Sequence, residues 1–528
     1  MGDAMTKKTT VEVPEGEAKA RESVRQRAVN MARDRCELWH SHENGPPVAY
    51  ASYKRGGHTE HVELRATAGR LWLQGLYYKE TGGALSRQDT EQVLDALEAT
   101  AVHEGPRLPV HVRVADLGDR IFLDLADEDC QVIQVTAKDW SVIPAEKAPI
   151  RFRRPNGTEA LPIPVRGGSL EDLKDFIHTD RAGLALVGAC LVGAMTDRGS
   201  AVVLSFAGGQ GTSKSTSTRV FQRLIDPRGG ALRSAPKKDE DLAVAARNAW
   251  IVSFDNLSRL SADLSDGFCR LSTGASFTTR TFYTNGEETI YAARRPVILN
   301  SIVDVVSKAD LLDRTVAVQL LKITDDKRQE ESVFWPRFYE ARPRLLGAAL
   351  SALSGALASW ETTRPESMPR MSDFYHLARA AGEALPGGIA AFDDAWTAMQ
   401  GAAIQSALEA SPIGAPLLHL LAARSKWKAP AAELLRELNA SRAAGFREHD
   451  TWPQTPQGLV HALRRLAPAM EATGWHLELG VRDTGTAHER LVVIVKTEDM
   501  AERAAIYQVD AGMDISQAER RAALEAAS

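Results

Sequence analysis

The sequence predicts an α/β protein with a parallel sheet at its centre, a small α+β domain before it, and a helical region and a winged-helix domain after it. Three observations predict this. Residues 201–220, AVVLSFAGGQGTSKSTSTRV, pass from an apolar strand through a glycine cluster into a helix. Strand and helix patterns then alternate across 169–335, as in a parallel sheet with crossover helices. Residues 416–497 read as two helices followed by two β-rich runs around a turn, the shape of a winged helix.

Each segment follows from its residues. Residues 1–45 are charged and poor in aromatics and read as a partly helical arm. In the α+β domain, 46–168, VAYASYK and HVELRA flank the glycine turn KRGGHT and predict a hairpin. DTEQVLDALEATAVHE (89–104) has helical spacing, and 110–137 reads as successive short strands. The Pro/Gly-rich run 155–168 reads as a linker. In the central domain, 169–335, strands are expected at 201–208, 249–256, 295–302 and 314–323. Residues 336–415 are rich in alanine and leucine at helical spacing, 416–497 form the winged-helix module, and 498–528 read as a charged helical tail.

Composition narrows the function. The four cysteines, Cys36, Cys130, Cys190 and Cys269, lie far apart with no C-x-x-C pair, which argues against a zinc site or a disulfide framework. The net charge of −5 means that any nucleic-acid contact must come from local basic surfaces. AGLALVGACLVGAM (182–195) is too short to span a bilayer and reads as a buried helix. The N-terminus lacks the apolar core of a signal peptide, so a cytoplasmic protein is expected, with no membrane partner.

The glycine cluster fits G-x-x-x-x-G-K-[ST] at all but one position. Gly208, Gly209, Gln210, Gly211, Thr212, Ser213, Lys214, Ser215 and Thr216 would wrap a nucleotide phosphate, with backbone N–H groups converging on the anion. Lys214 would reach the terminal phosphates, Ser215 would hold Mg²⁺, and the following helix would turn its N-terminus to the same anion. Ser213 stands where the last glycine is expected.

Downstream residues extend this site. AWIVSFDN carries Asp255 at the end of a strand, suited to Mg²⁺ coordination. Asn256 follows, an amide that positions water but accepts no proton from it. RPVILNSI ends in Asn300, placed to sit beside the last phosphate. Arg314, in DLLDRTVAV, is suited to stabilise a transferring phosphoryl group from across a subunit interface. Between them, TFYT and TIYA flank Asn285-Gly286 and predict an inserted hairpin. The acidic run IFLDLADED (121–129) reads as a turn rather than a polymerase metal site.

The order of GGQGTSKST, IVSFDN, FCRLSTGASFTTRTFYTNGEE, VILNSI and LLDRTVAV resembles the superfamily 3 helicases of the AAA+ class. More narrowly, it resembles the helicase part of poxvirus-type phage and plasmid primase-helicases, without a primase domain. The resemblance implies a P-loop ATPase core, ATP and Mg²⁺ as cofactors, a homo-oligomeric and usually hexameric ring, and single-stranded DNA in its channel. It implies that Arg314 completes the site of the neighbouring subunit. The hairpin tip, Asn285-Gly286-Glu287-Glu288, is acidic, so Arg280, Arg294 and Arg295 on its stems are the candidate DNA contacts there.

In the C-terminal module Leu459, Leu463 and Leu466 share one helix face, with Arg464 and Arg465 on others, while Arg482 and Arg490 flank the wing. These four arginines are candidate contacts to duplex DNA. The expected function is an ATP-hydrolysing DNA helicase or translocase that replicates a prophage, plasmid or other mobile element. Asn256 and the acidic tip keep open a nucleotide-switched DNA-binding module with slow or no turnover, and a third reading is an ATPase that remodels protein partners.

Overall fold

The computed structural model describes residues 23–42, 46–230, 232–257, 260–280, 288–301, 306, 309–365, 368–422, 424–440, 452–482 and 490–496. The chain opens with α1 (Val24–Arg35), β1 (Cys36–Ser41), β2 (Val48–Arg55), β3 (His58–Glu63), α2 (Thr67–Thr81) and α3 (Arg87–His103). β1, β2 and β3 form an antiparallel sheet in that order, and Gly56 and Gly57 turn the β2–β3 hairpin at positive φ. Leu94, Leu97 and Ala101 of α3 bury against Ala28 and Ala32 of α1 and Ala51 of β2. Apolar packing thus joins residues 24–41 to the hairpin that follows.

Next come β4 (Val114–Asp116), β5 (Arg120–Asp124), β6 (Gln131–Thr136) and β7 (Trp140–Pro144), an antiparallel sheet in chain order. Ile121, Leu123, Ile133, Val135 and Trp140 share one core with the central domain. Asp124 is held by Arg154 at 2.7 and 2.9 Å, so the acidic run ends in an ion pair.

The central domain carries α4 (Arg181–Gly193), β8 (Val203–Ala207), α5 (Lys214–Ile225), α6 (Asp239–Asn248), β9 (Val252–Leu257), α7 (Ala262–Thr273), β10 (Ser276–Arg280), β11 (Glu288–Ala292), β12 (Val297–Ser301), α8 (Ala309–Leu312) and β13 (Thr315–Gln319). Four strands form one parallel sheet in the order β13-β8-β12-β9. They are the four strands expected from the sequence, and their near-continuous apolar runs suit a sheet covered on both faces. α5 packs on β8, β9 and β12 and against the helix at 331–359. α4 is buried over almost its whole length, beneath β13. β10 and β11 pair antiparallel from Ser276↔Ala292 to Arg280↔Glu288. The Asn285-Gly286 turn lies outside the described residues. No described helix is long and apolar enough to cross a membrane.

The C-terminal third contains α9 (Glu331–Ser359), α10 (Ser372–Ala381), α11 (Gly388–Ala410), α12 (Gly414–Leu421), β14 (Lys426–Pro430), α13 (Ala431–Ala440), α14 (Pro456–Ala472), β15 (Trp475–Arg482) and β16 (Arg490–Lys496). β14, β16 and β15 form an antiparallel sheet in that order. Leu459, Leu463 and Leu466, the expected apolar face of α14, are buried with Leu434 and Leu438 of α13 and with Trp427 and Ile494 of the sheet. Residues 483–489 and the tail 498–528 lie outside the described residues.

Candidate functional site

The glycine-rich loop joins the C-terminal end of β8 to the N-terminus of α5. A Cβ on Gly208 would stand 2.7 Å from Thr212 Oγ1 and 3.1 Å from the Leu320 carbonyl, so only glycine fits there. Gly211 takes φ +79°, and Gly209, Gln210 and Gly211 are exposed. Thr212 is buried and its hydroxyl donates to the Gly209 carbonyl at 3.0 Å. Ser213 adopts φ +56° and ψ +35°, the left-handed conformation that the expected glycine would take freely. Its carbonyl accepts the Ser217 N–H at 2.9 Å and starts α5.

Lys214 folds back over this loop. Its ammonium donates to the carbonyls of Gly208 at 2.7 Å and Gly209 at 2.8 Å. Burial pulls its pKa below the ordinary lysine value, and Asp255 opposes that shift. The Ser215 hydroxyl donates to Asp255 Oδ1 at 2.9 Å, while Thr216, on the next position, is half-buried. A carboxylate and a hydroxyl therefore converge beside an ammonium, a hard-oxygen pair that fits Mg²⁺ shared with phosphate oxygens and water.

The strand tips are shaped by a bulge. Leu299 pairs with Phe254 and Ser301 with Leu257, so Asp255 and Asn256 together face the single residue Asn300. Asn256 sits at φ +56° with its side chain exposed. Its backbone N–H donates to Asn300 Oδ1 at 2.7 Å. Asn300 is 1% exposed, and its amide also donates to Thr218 Oγ1 at 3.3 Å. Asn300 thus fixes the turn that aims Asp255.

Two further residues shape the strand tips. Thr218 stands one helical turn beyond Lys214, a spacing that marks it in hindsight. Arg233 is bridged to Phe254, and its carbonyl accepts the Asp255 N–H at 2.8 Å. No local pattern around Arg233 announces that contact.

Arg314 lies at the other end of the sheet. Its carbonyl accepts the Val203 N–H at 3.2 Å, at the start of β8, whereas the loop follows the end of that strand. Five residues of β8 span about 16 Å. The Arg314 guanidinium donates to the Asp310 carbonyl and approaches Cys269 Sγ at 4.0 Å. The carboxylates of Asp310 and Asp313 are both held by Arg370, at 3.2 and 2.7 Å. Among the described residues, neither carboxylate pairs with Arg314.

The basic candidates divide into two groups. Arg294 is held by the Asp197 carboxylate at 2.9 Å, and Arg295 by the carbonyls of Ala246 and Ala249 at 3.0 and 3.1 Å, over the Trp250 ring. Both are anchored to other parts of the chain. Arg464, Arg465 and Arg490 are exposed. Arg464 and Arg490 line a cleft of about 610 Å³ with His461, between α13–α14 and the β15–β16 pair. The side chains of Arg280 and Arg482 lie outside the described residues.

Residues 168–398 match the family described as "Actinomycete integrative conjugative element replication protein". The central sheet and the glycine-rich loop lie within that matched segment. Residues 413–506 match "AICE RepA C-terminal domain", so the α12–β16 unit carries the companion half of the RepA match. None of the curated proteins matches the chain. Among solved structures the chain is similar to one titled "SCCmec type IV Cch - active helicase", at 12% identity and a TM-score of 0.42 over 88% of this chain and 94% of that one. It is also similar to the apo C-terminal region of NrS-1, at 12% identity and a TM-score of 0.38 over 89% of this chain and 99% of that one.

Proposed function

We propose that this chain is an ATP-driven DNA helicase or translocase that serves replication of a mobile element. One observation carries the reading: Lys214 and the Ser215–Asp255 pair converge at the end of a parallel strand, in the segment that matches a mobile-element replication family. On this reading the central domain is a P-loop ATPase of the AAA+ class, superfamily 3-like. The α12–β16 unit is a winged helix that presents Arg464 and Arg490 to duplex DNA.

The chain's own residues divide the work. Lys214 leaves the Gly208 and Gly209 carbonyls for the terminal phosphates of ATP, which offer it a stronger charge-assisted contact. Ser215 and Asp255 would hold Mg²⁺, which would neutralise phosphate charge when bound. Asn300 keeps Asn256 and Asp255 in register, and the exposed Asn256 amide orients water. Arg314, about a strand's length away from its own loop, serves the loop of the next subunit. Head-to-tail contacts of that kind close into a ring, and a hexamer is the expected form.

Asn256 favours a second reading. It stands where a second acid would accept the proton of water, and an amide does not. The chain would then bind DNA under nucleotide control with little turnover.

The deciding measurement is ATP hydrolysis with and without single-stranded DNA, together with strand displacement. The unaltered chain is expected to hydrolyse ATP faster with DNA and to separate strands. Lys214→Ala should lose nucleotide binding, and Arg314→Ala should bind ATP without hydrolysing it. Mixing the two variants should restore part of the activity, because each supplies what the other lacks. ATP-dependent DNA binding without turnover would select the second reading, and no calorimetric heat with ATP and Mg²⁺ would remove both.

A further inference from the structure

A second cationic site lies on the far side of the sheet from Arg314. A cleft of about 590 Å³ separates the β2–β3 hairpin and residues 150–156 from residues 228–233 of the central domain. Arg153, Arg228 and Arg233 line it. A recess of about 190 Å³ continues from it past Asn156, Arg228 and Arg233 to Gln222 and Ser253.

The charges in this cleft are not balanced. Its three carboxylates already have partners: Glu63 is held by Arg247 at 2.9 Å, Asp124 by Arg154, and Glu60 by Tyr53 and Arg55. The arginines have no carboxylate within 4 Å among the described residues. Arg228 donates from Nη2 to the Asn156 carbonyl at 2.7 Å, but its Nη1 is buried with no acceptor among the described residues. Among the described residues Arg153 reaches only the Arg247 carbonyl. The Arg233 side chain makes no hydrogen bond among the described residues. At the inner end of the recess the Ser253 hydroxyl, 1% exposed, has no partner either. Burial pulls the pKa values of Arg228 and Arg233 below the arginine norm; the Asp226 carboxylate, itself paired with Arg113, opposes the shift at both, and neighbouring arginines add to it at Arg228.

Buried donors without acceptors are costly, and two on the lining of one recess, Arg228 Nη1 and the Ser253 hydroxyl, suit an acceptor-rich anion. We propose that this cleft holds the sugar-phosphate backbone of a single nucleic-acid strand, with one phosphate in the recess among Arg228, Arg233 and Ser253. The recess suits one phosphate group. The wider cleft is within the usual range for ligand sites, about 300–1,000 Å³, and its wall of Ile150 and Phe152 suits the attached sugar. Arg233 also gives the site a route to the ATPase, since its carbonyl holds the Asp255 N–H. The proposal rests on the reading that the chain acts on DNA.

The test is fluorescence anisotropy of a labelled single-stranded oligonucleotide with the full chain, at a series of salt concentrations. Each phosphate neutralised on a single strand contributes about 0.7 to the salt slope, so R228Q/R233Q, which empties the one-phosphate recess, should lower the slope by about 0.7. Affinity at low salt should fall at least tenfold, and R228K/R233K should restore the slope. If the double variant does not fold, Arg233→Gln alone should remove about half of the slope change, since its guanidinium makes no hydrogen bond to lose. A folded R228Q/R233Q with unchanged slope and affinity overturns this site alone. An unaltered chain that binds no oligonucleotide overturns the DNA reading with it. A free mononucleotide that competes as well as the oligonucleotide in the Lys214→Ala background makes this a nucleotide pocket and overturns the strand assignment.

Discussion

Ser213 shows how one side chain sets the terms of a loop. An L-residue in the left-handed region crowds its Cβ against the backbone, at about 1–2 kcal/mol, and glycine avoids that crowding. Glycine also loses more freedom on folding, by roughly 0.5–1 kcal/mol. Ser213→Gly should therefore stabilise the fold slightly, by up to about 1 kcal/mol. Urea unfolding would show a higher midpoint at an unchanged slope, and a lower midpoint would mean that the serine hydroxyl does more than occupy space. Sequence reading marked the position as a departure from the phosphate-loop pattern. It did not show that the backbone path is kept, because that follows from the surrounding packing, with Gly208 pressed against Thr212 and Leu320. The roles of Arg294 and Arg295 were equally hidden, since an arginine bound to carbonyls looks the same in a sequence as one facing solvent.

Among the elements, the sheet was legible because four apolar runs at the right spacing can be buried only as adjacent strands. α14 was legible for the same reason, with three leucines on one face. β7 and β14 were not. WSVIP and KWKAP are five residues long, end in proline and turn few apolar side chains inward, so neither alternates long enough to be seen. The bulge at Asp255–Asn256 was also invisible, because it depends on what lies opposite. Asn300 sits there as an internal brace and leaves the Asn256 N–H without an acceptor if it is removed. Asn300→Ala should cost about 1–3 kcal/mol, and chemical denaturation is the check. Nucleotide binding should weaken with it, because Asp255 is aimed by the same turn. An unchanged stability would show that the bulge is held by the strands alone.

On the scale of the whole molecule, the central domain is tied to what precedes it by contacts that no local pattern reveals. Arg113 and Asp226 lie far apart in the chain, and each is 1% exposed. Arg113 donates to the Asp226 carboxylate at 3.1 Å and to the carbonyls of Asp124 and Glu159 at 2.8 Å each. Asp226 closes α5 and accepts the N–H groups of Trp250 and Ile251, just ahead of β9. One knot therefore fastens the β4–β7 sheet, the far end of α5 and the strand that carries Asp255. The Pro/Gly-rich run 155–168 looks like a place to divide the chain, yet it is no seam. A polypeptide begun at residue 169 would carry Asp226 without its counter-ion, a loss of about 3–5 kcal/mol. It would also expose the apolar surface that β5, β6 and Leu161 now cover. Such a fragment should be recovered only as aggregate, while the intact chain stays monodisperse in size-exclusion chromatography. The central domain was never a detachable cassette: its anterior sheet is part of its own chassis.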